Sequence, residues 1–215
     1  MSVANGVDND APVTSATLSC LASSSYAFVG RYLPTGTNAS TPLTCSEVGV
    51  FQSYNAGHSS SPFGIVLTWS TAASNQPSGW TTTNGDSDGI TCKAALTGLN
   101  VPTSAGIIVY VDTEYDNALT SSQITNLGNY LSAFQSKLSG WNVGLYGQGG
   151  TGSTEMLQSI CNANPWYASL PFWATNSQPT CGAAIVQFEN QPQVCSYTTD
   201  TDSAVVSSYG AWVPS

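Results

Sequence analysis

Gly106-Ile107-Ile108-Val109-Tyr110-Val111-Asp112-Thr113-Glu114-Tyr115-Asp116 is the stretch on which the fold turns. From Gly106 to Val111 the run is apolar on both faces, the pattern of a parallel strand covered by helices on one side and a core on the other. Acids then interrupt it. Side chains alternate across a strand, so Asp112 and Glu114 face the same way, at the carboxyl end where α/β folds place their chemistry. Two carboxylates facing one cavity are what glycoside hydrolysis requires, one protonating the leaving oxygen while the other assists attack or steadies the oxocarbenium-like transition state. The competing reading is that both acids cap the next loop or are simply solvated.

Working outward, apolar strand-like runs alternate with helix-like patterns through most of the chain, as in successive βαβ units. Strands are expected at Ala27–Leu33, Gly64–Trp69, Ile107–Asp112, Asn142–Tyr146, Pro171–Ala174 and Ala184–Phe188. Thr44-Cys45-Ser46-Glu47 reads as a capping box opening a helix that stops near Asn55-Ala56-Gly57. Thr120-Ser121-Ser122-Gln123 is a second such box, followed by Ile124, Leu127, Leu131, Phe134 and Leu138 at steps of three and four. Further helices are expected over Asp88–Leu99 and Ser153–Asn162, with Asp86 and Asp88 as caps, Glu155 in a first turn and Asp116 in a loop. Tyr197–Val206 and Gly210–Val213 read either as a short strand pair or as a closing loop. About six parallel strands with short loops suit a (β/α) barrel, incomplete or distorted, or an open doubly wound sheet. No phosphate-binding glycine loop follows any strand. Gly147-Gln148-Gly149-Gly150-Thr151-Gly152 lacks the lysine and spacing of a phosphate cradle and reads as a flexible loop beside the proposed site.

The 215 residues suit a single domain, 1–215, without a linker. Only 7% of them are charged, with three basic against twelve acidic side chains and a net charge of -9. That balance argues against nucleic acid, anionic lipid and polyanionic substrates, all of which need basic patches. The polarity comes instead from Ser, Thr, Asn, Gly and Gln, a hydroxyl-rich surface suited to carbohydrate, with one glycosylation sequon at Asn38-Ala39-Ser40. Six cysteines are spread widely with no Cys-x-x-Cys pair, and His58 is the single histidine, so disulfides in an oxidising compartment are expected rather than a metal site. Cys20 is paired with Cys45 in this reading, and Cys161, Cys181 and Cys195 supply another bridge. No apolar run reaches the roughly 18 residues of a membrane span, and MSVANGVDND lacks a signal region. The expectation is a soluble extracellular protein, secreted or at the cell surface, for which Met1 is not the natural start of the precursor.

The order of motifs resembles the Rv2525c-like glycoside-hydrolase-like domain, a relative in shape of the family 25 lysozymes. The chain carries a Gly-x-Asp strand end (Gly6-Val7-Asp8), the FVGRYL segment (Phe28 to Leu33) and the Leu43-Thr44-Cys45-Ser46-Glu47 helix start. Leu99-Asn100-Val101-Pro102, the strand ending in acids, Gly144 to Gly147, Trp173-Ala174 and Val186-Gln187-Phe188 follow in order, so the likeness spans nearly the whole sequence. It implies a TIM-barrel-like (β/α) barrel with a carboxylate-lined pocket at the strand carboxyl ends. It also implies roles: Glu114 as general acid, Asp112 as stabilising or base carboxylate, Asp8 across the pocket, and Gln187 lining it. Asp200-Thr201-Asp202 resembles the Asp-x-Asn that closes the family pattern, with Asp202 in place of a neutral partner or shifted by two positions.

Other residues carry two readings each. Arg31, the one arginine, lies inside an apolar strand, where it either pairs with an acid such as Asp8 or Glu47 or contacts substrate. Trp69, Tyr115, Tyr146 and Trp173 fall at strand ends as stacking platforms for sugar rings, or else as core. Trp80, Trp141, Trp166 and Trp212 read as packing or surface residues. His58 has no Gly-x-Ser-x-Gly elbow to support a nucleophile triad. The function expected is an extracellular glycoside hydrolase cleaving a cell-wall or other neutral polysaccharide, peptidoglycan included, with no metal or organic cofactor. The alternative is a catalytically inactive carbohydrate-binding or self-assembling surface protein on the same fold.

Overall fold

The structure is a computed structural model and describes residues 3–8, 11–34, 41–113, 115–149, 155–163, 170–188, 193–195 and 197–215. Glu114, the Asn38-Ala39-Ser40 sequon, Trp166 and the Gly150–Gly152 end of the glycine run lie outside the described residues.

Five strand–helix units come first: β1 (Ala4–Asp8), α1 (Ser15–Ser23), β2 (Phe28–Tyr32), α2 (Cys45–Gly57), β3 (Gly64–Trp69), α3 (Thr82–Gly98), β4 (Ile108–Asp112), α4 (Ser121–Lys137), β5 (Asn142–Gln148) and α5 (Met156–Ala163). Then come β6 (Phe172–Thr175), β7 (Ile185–Phe188), a two-stranded hairpin of β8 (Gln193–Val194) and β9 (Tyr197–Thr198), and β10 (Asp200–Ala204). The strands close into a barrel in the order β1-β10-β7-β6-β5-β4-β3-β2. β1 to β7 are parallel wherever they pair, whereas β10 runs antiparallel to both its neighbours, β1 and β7. The open-sheet alternative is thereby excluded, and the undecided Tyr197–Val206 segment supplies the strand that closes the barrel.

Strand alternation separates two cores. Phe28, Val66, Ile108, Tyr110, Trp173, Ile185 and Ala204 pack together inside the barrel. Their odd-numbered and even-numbered neighbours, Val29, Ile65, Leu67, Val109, Val111, Val143, Leu145, Phe172 and Val186, face outward into a second core shared with the helices. The helix starts obey their caps. Thr44 accepts from the Glu47 amide, and Thr120 with Gln123 forms the reciprocal box, so α2 and α4 begin where the sequence places them.

Helix α3 begins earlier than expected, at Thr82, capped by the Thr81 hydroxyl. Asp86 and Asp88 are therefore interior to it. Asp86 pairs with Lys137 at 2.8 Å, and Asp88 Oδ2 accepts from Thr71 Oγ1 and Tyr130 OH. Gly85 and Gly89 disguise the start of this helix as a loop, but they serve close packing: a Cβ on Gly85 would lie 2.3 Å from the Tyr130 carbonyl oxygen, and on Gly89 2.7 Å from that of Phe134.

The disulfides correct the expected Cys20–Cys45 pairing and bear out a bridge among Cys161, Cys181 and Cys195. Cys20 in α1 bonds Cys195 in the turn between β8 and β9, and Cys161 in α5 bonds Cys181 in the β6–β7 connection. Cys45 opens α2 with its thiol directed at the Gly98 carbonyl, so it faces the end of α3 rather than Cys20, and it is free like the buried Cys92. No described helix is long and apolar enough to cross a membrane.

Candidate active site

The carboxyl ends of β1, β4, β6 and β7 and the start of β10 meet at one mouth of the barrel. Because β10 runs the other way, it brings its first residues, not its last, to that mouth, with Asp200 opposite Asp8 and Asp202 opposite Gln187 in the ladder. Asp8, Asp112, Gln187, Asp200 and Asp202 all share strand parity with interior residues, so their side chains enter the barrel.

Trp173 forms the floor. It is fully buried, edge-on to Tyr110 at 5.6 Å and to Tyr146 at 5.3 Å between ring centroids. Its ring crosses the barrel to the opposite strand, where a Cβ on Gly30 would sit 2.4 Å from Trp173 Cη2 and 3.1 Å from Asp8 Oδ1. Glycine is required at residue 30 for that crossing. The indole Nε1 donates to Asp202 Oδ1 at 3.1 Å.

Above this floor the polar groups form a connected set. Tyr146 OH donates to Gln187 Oε1 at 2.7 Å, which fixes the Gln187 amide so that Nε2 faces two acids, Asp8 Oδ2 at 3.3 Å and Asp200 Oδ2 at 3.4 Å. The Thr199 hydroxyl donates to the Asp8 carbonyl oxygen. Asp202 is 2% exposed, and its Oδ2 has no hydrogen-bond partner among the described residues. Burial, then the negative charge of Asp8 and more weakly of Asp200, hold the Asp202 carboxyl well above the usual carboxylate range against the opposing indole hydrogen bond. Asp202 is therefore harder to ionise than a solvated carboxyl. Asp112 is fully buried at the end of β4 beside Tyr146 in the ladder.

Of the residues expected at the site, Asp8, Asp112, Tyr146, Trp173, Gln187 and Asp202 are brought together at this mouth. Arg31 and Trp69 are not. Arg31 shares the outward parity of Val29, is fully buried beneath α2, and binds Glu47 through Nε at 2.8 Å and Nη2 at 3.1 Å. Trp69 also faces outward, tilted against Phe134 of α4 at 6.0 Å. Trp69 was placed by nearness to a strand end, but parity sends it to the other side of the barrel wall, and Arg31 takes the other of its two readings, the ion pair with Glu47. Tyr115 leaves the barrel as well and packs edge-on against Trp80 at 6.1 Å. Asp200 is the member that the sequence reading named within a motif but gave no role at the site. Its signal was present, since Asp200-x-Asp202 repeats the alternate-acid spacing of Asp112-x-Glu114.

A cleft of about 730 Å³ lies at the opposite end of the barrel, lined among others by Gly106, Ile108, Asn142, Phe172, Ala184 and Val205. No titratable side chain is among the described residues that line that cleft, whereas the other mouth gathers four described carboxyls.

Comparison with known proteins agrees with this geometry. The sequence profile described as "Rv2525c-like, glycoside hydrolase-like domain" matches residues 19–206. No curated protein sequence matches the chain. Among solved structures, an uncharacterized B. stearothermophilus protein superposes with a TM-score of 0.69 at 19% identity, over 97% of this chain and 100% of that one. The catalytic domain of endolysin ply40, from bacteriophage P40 of Listeria monocytogenes, gives 0.56 at 11% identity, over 97% and 96%. The Clostridium perfringens spore cortex lytic enzyme SleM gives 0.56 at 14% identity, over 94% of this chain and 67% of that one. At these identities the superpositions establish the shared barrel.

Proposed function

The chain belongs to the Rv2525c-like, glycoside hydrolase-like domain family, and from that premise we propose that it hydrolyses glycosidic bonds of an extracellular cell-wall polysaccharide at the mouth of the barrel. The observation that carries the reading is the convergence of Asp8, Asp112, Asp200 and Asp202 on one mouth, with the Asp202 carboxyl held above the usual carboxylate range by burial and its acidic neighbours. A site that separates the ionisation of adjacent carboxyls is the electrostatic condition for acid–base chemistry on a sugar oxygen. In this proposal Glu114 is the general acid, Asp112 the stabilising or base carboxylate, and Asp8 the acid across the pocket. Tyr146 and Gln187 act by positioning, since they orient a donor toward Asp8 and Asp200. Peptidoglycan is the first substrate to try, because the ply40 and SleM barrels come from an endolysin and a cortex lytic enzyme.

The test is incubation of the protein and its Glu114→Gln variant with peptidoglycan, chitin and neutral glucans, reading new reducing ends by mass spectrometry. Cleavage by the parent and none by a folded variant is expected. An absence of products from every polymer with both proteins folded would sink the hydrolase reading.

A second reading, a silent surface protein, is favoured by one observation. Exposed Val3, Val206 and Val213 all lie at the end of the barrel away from the carboxyls, an apolar end suited to self-association.

A further inference from the structure

A separate cleft of about 450 Å³ opens between the last turns of α1 and α2, outside the barrel wall and beside the starts of β2 and β3. It lies at the end of the barrel away from the carboxyls, and its volume is in the range of ligand sites, about 300–1,000 Å³. Ser19 and Ser23 wall it on α1, and Tyr54 and His58, one turn apart, wall it on α2. Tyr26 and Ser61 close it from the two loops that follow these helices. No Asp, Glu, Lys or Arg is among the residues that line it.

The walls are held before any ligand arrives. Asn55 clamps the loop after α2 in both directions, its Oδ1 accepting from the Phe63 amide at 2.7 Å and its Nδ2 donating to the Phe63 carbonyl at 3.1 Å. The Ser61 amide donates to the His58 carbonyl at 2.9 Å, and the Tyr26 amide to the Leu21 carbonyl at 3.0 Å. The Cys20–Cys195 bridge ties the α1 wall to the β8–β9 turn. The His58 ring lies parallel to Tyr54 at 4.0 Å, and its Nδ1 donates to the Tyr54 carbonyl at 2.8 Å. A carbonyl only accepts, so Nδ1 carries the hydrogen, and Nε2 of the neutral ring is left as an acceptor. Phe63 meets Tyr54 edge-on at 6.3 Å.

Against these fixed rings stand polar atoms with capacity to spare. The Tyr26 and Tyr54 hydroxyls form no hydrogen bond with the described residues. The Ser19 and Ser23 hydroxyls donate to helix carbonyls and keep their lone pairs. The cleft therefore combines rigid aromatic surface with neutral donors and acceptors, and it lacks a counter-charge for an ionised ligand. A purely apolar ligand would displace water from the hydroxyls and return no hydrogen bond. A pyranose suits both halves, since its ring face presents C–H bonds to an aromatic surface while hydroxyls project from its edge.

We propose that this cleft is a second saccharide site, which binds a neutral pyranose unit of a polysaccharide through Tyr26, Tyr54 and His58. The inference goes beyond the hydrolase reading, which concerns the other end of the barrel, and it requires no turnover there.

The experiment uses the whole protein and the ring signals of His58, which as the single histidine reports on this cleft without further labelling. An N-acetylglucosamine hexamer and a soluble glucose hexamer are titrated at one fixed pH, followed by proton NMR, with sorbitol and benzyl alcohol as controls at matched concentration. The expected result is a saturable shift of the His58 signals with at least one hexamer and none with either control. Tyr26→Ala, which leaves the Tyr54–His58 stack in place, should weaken that binding about tenfold, the worth of one aromatic contact. Ser23→Trp, which fills the cleft from an exposed helical position without removing a packed group, serves should the first variant fail to fold. His58 signals that neither hexamer moves, an equal response to sorbitol or benzyl alcohol, or parent-like affinity in a folded variant would each overturn the proposal. Reducing-end assays on the same mixtures keep the two readings apart. Cleavage of a hexamer without a His58 shift removes this inference and leaves the hydrolase, whereas a saturable, variant-sensitive shift without cleavage supports the inference whatever becomes of the hydrolase.

Discussion

Replacing Asp202 with Asn should make the protein less sensitive to pH, in a direction that the structure sets and with a slope that proton linkage bounds. The folded protein holds the Asp202 carboxyl well above its ordinary value of 3.8, through burial and the charges of Asp8 and Asp200. Above about pH 4 the unfolded chain has lost that proton while the folded chain still binds it, so unfolding releases a proton and stability falls as pH rises. The slope reaches about 1.4 kcal/mol per pH unit for one whole proton, whether Asp202 holds it alone or shares it with Asp8. Asn cannot titrate. Between about pH 4 and pH 7 the stability of Asp202→Asn relative to the parent should therefore climb, at no more than that slope. A separate, pH-independent offset of about 1–3 kcal/mol is expected if the new amide is left without an acceptor, but the indole bond survives because Asn Oδ1 accepts as Asp202 Oδ1 does. Urea unfolding of both proteins at several pH values gives the difference directly. Parallel stability curves across that window would refute the reasoning, because they would mean that Asp202 ionises alike in the folded and unfolded states.

Three further outcomes follow from the packing. Gly30→Ala places a methyl 2.4 Å from Trp173 Cη2, a rigid ring with no room to retreat, and should cost about 1–3 kcal/mol in urea unfolding; no loss would show that Trp173 does not cross the barrel. Glu47→Gln leaves a fully buried Arg31 without its counter-charge and should cost about 3–5 kcal/mol in the same assay, with oligosaccharide affinity unchanged because that pair lies outside the barrel wall. Cys195→Ser opens a link of sequence separation 175 and Cys181→Ser one of separation 20, so loop entropy makes the first about 2 kcal/mol more damaging, and melts of equal size would contradict that account.

The way the chain divides between legible and illegible parts has a physical cause. Period-two and period-four patterns are local, so β3, β4, α2 and α4 could be read from apolar runs and threonine caps, with β3 and α4 matching the expected limits closely. The start of α3 could not, because Gly85 and Gly89 look like helix breakers until Tyr130 and Phe134 of α4 are known to lie against them. Pairing of Cys20 with Cys195 is a statement about the two ends of the chain meeting, and nothing local near Cys20 encodes it. Site residues divide along the same line. Asp112 was legible because an acid ends an apolar strand. Arg31 and Trp69 lay equally close to strand ends, but they share outward parity with Val29 and Leu67, a distinction visible only once the inner face of each strand is fixed. Asp200 was hidden for a further reason: β10 runs against the other strands, so the mouth receives the beginning of this strand where it receives the ends of the rest. That reversal places an alternate-acid pair beside Asp8 on the adjacent strand. It also lets Gln187, anchored by Tyr146, hold two acids from strands on either side of one ladder. The antiparallel closure is thus what gathers carboxyls from several strands at one end of a barrel whose few cationic side chains lie elsewhere.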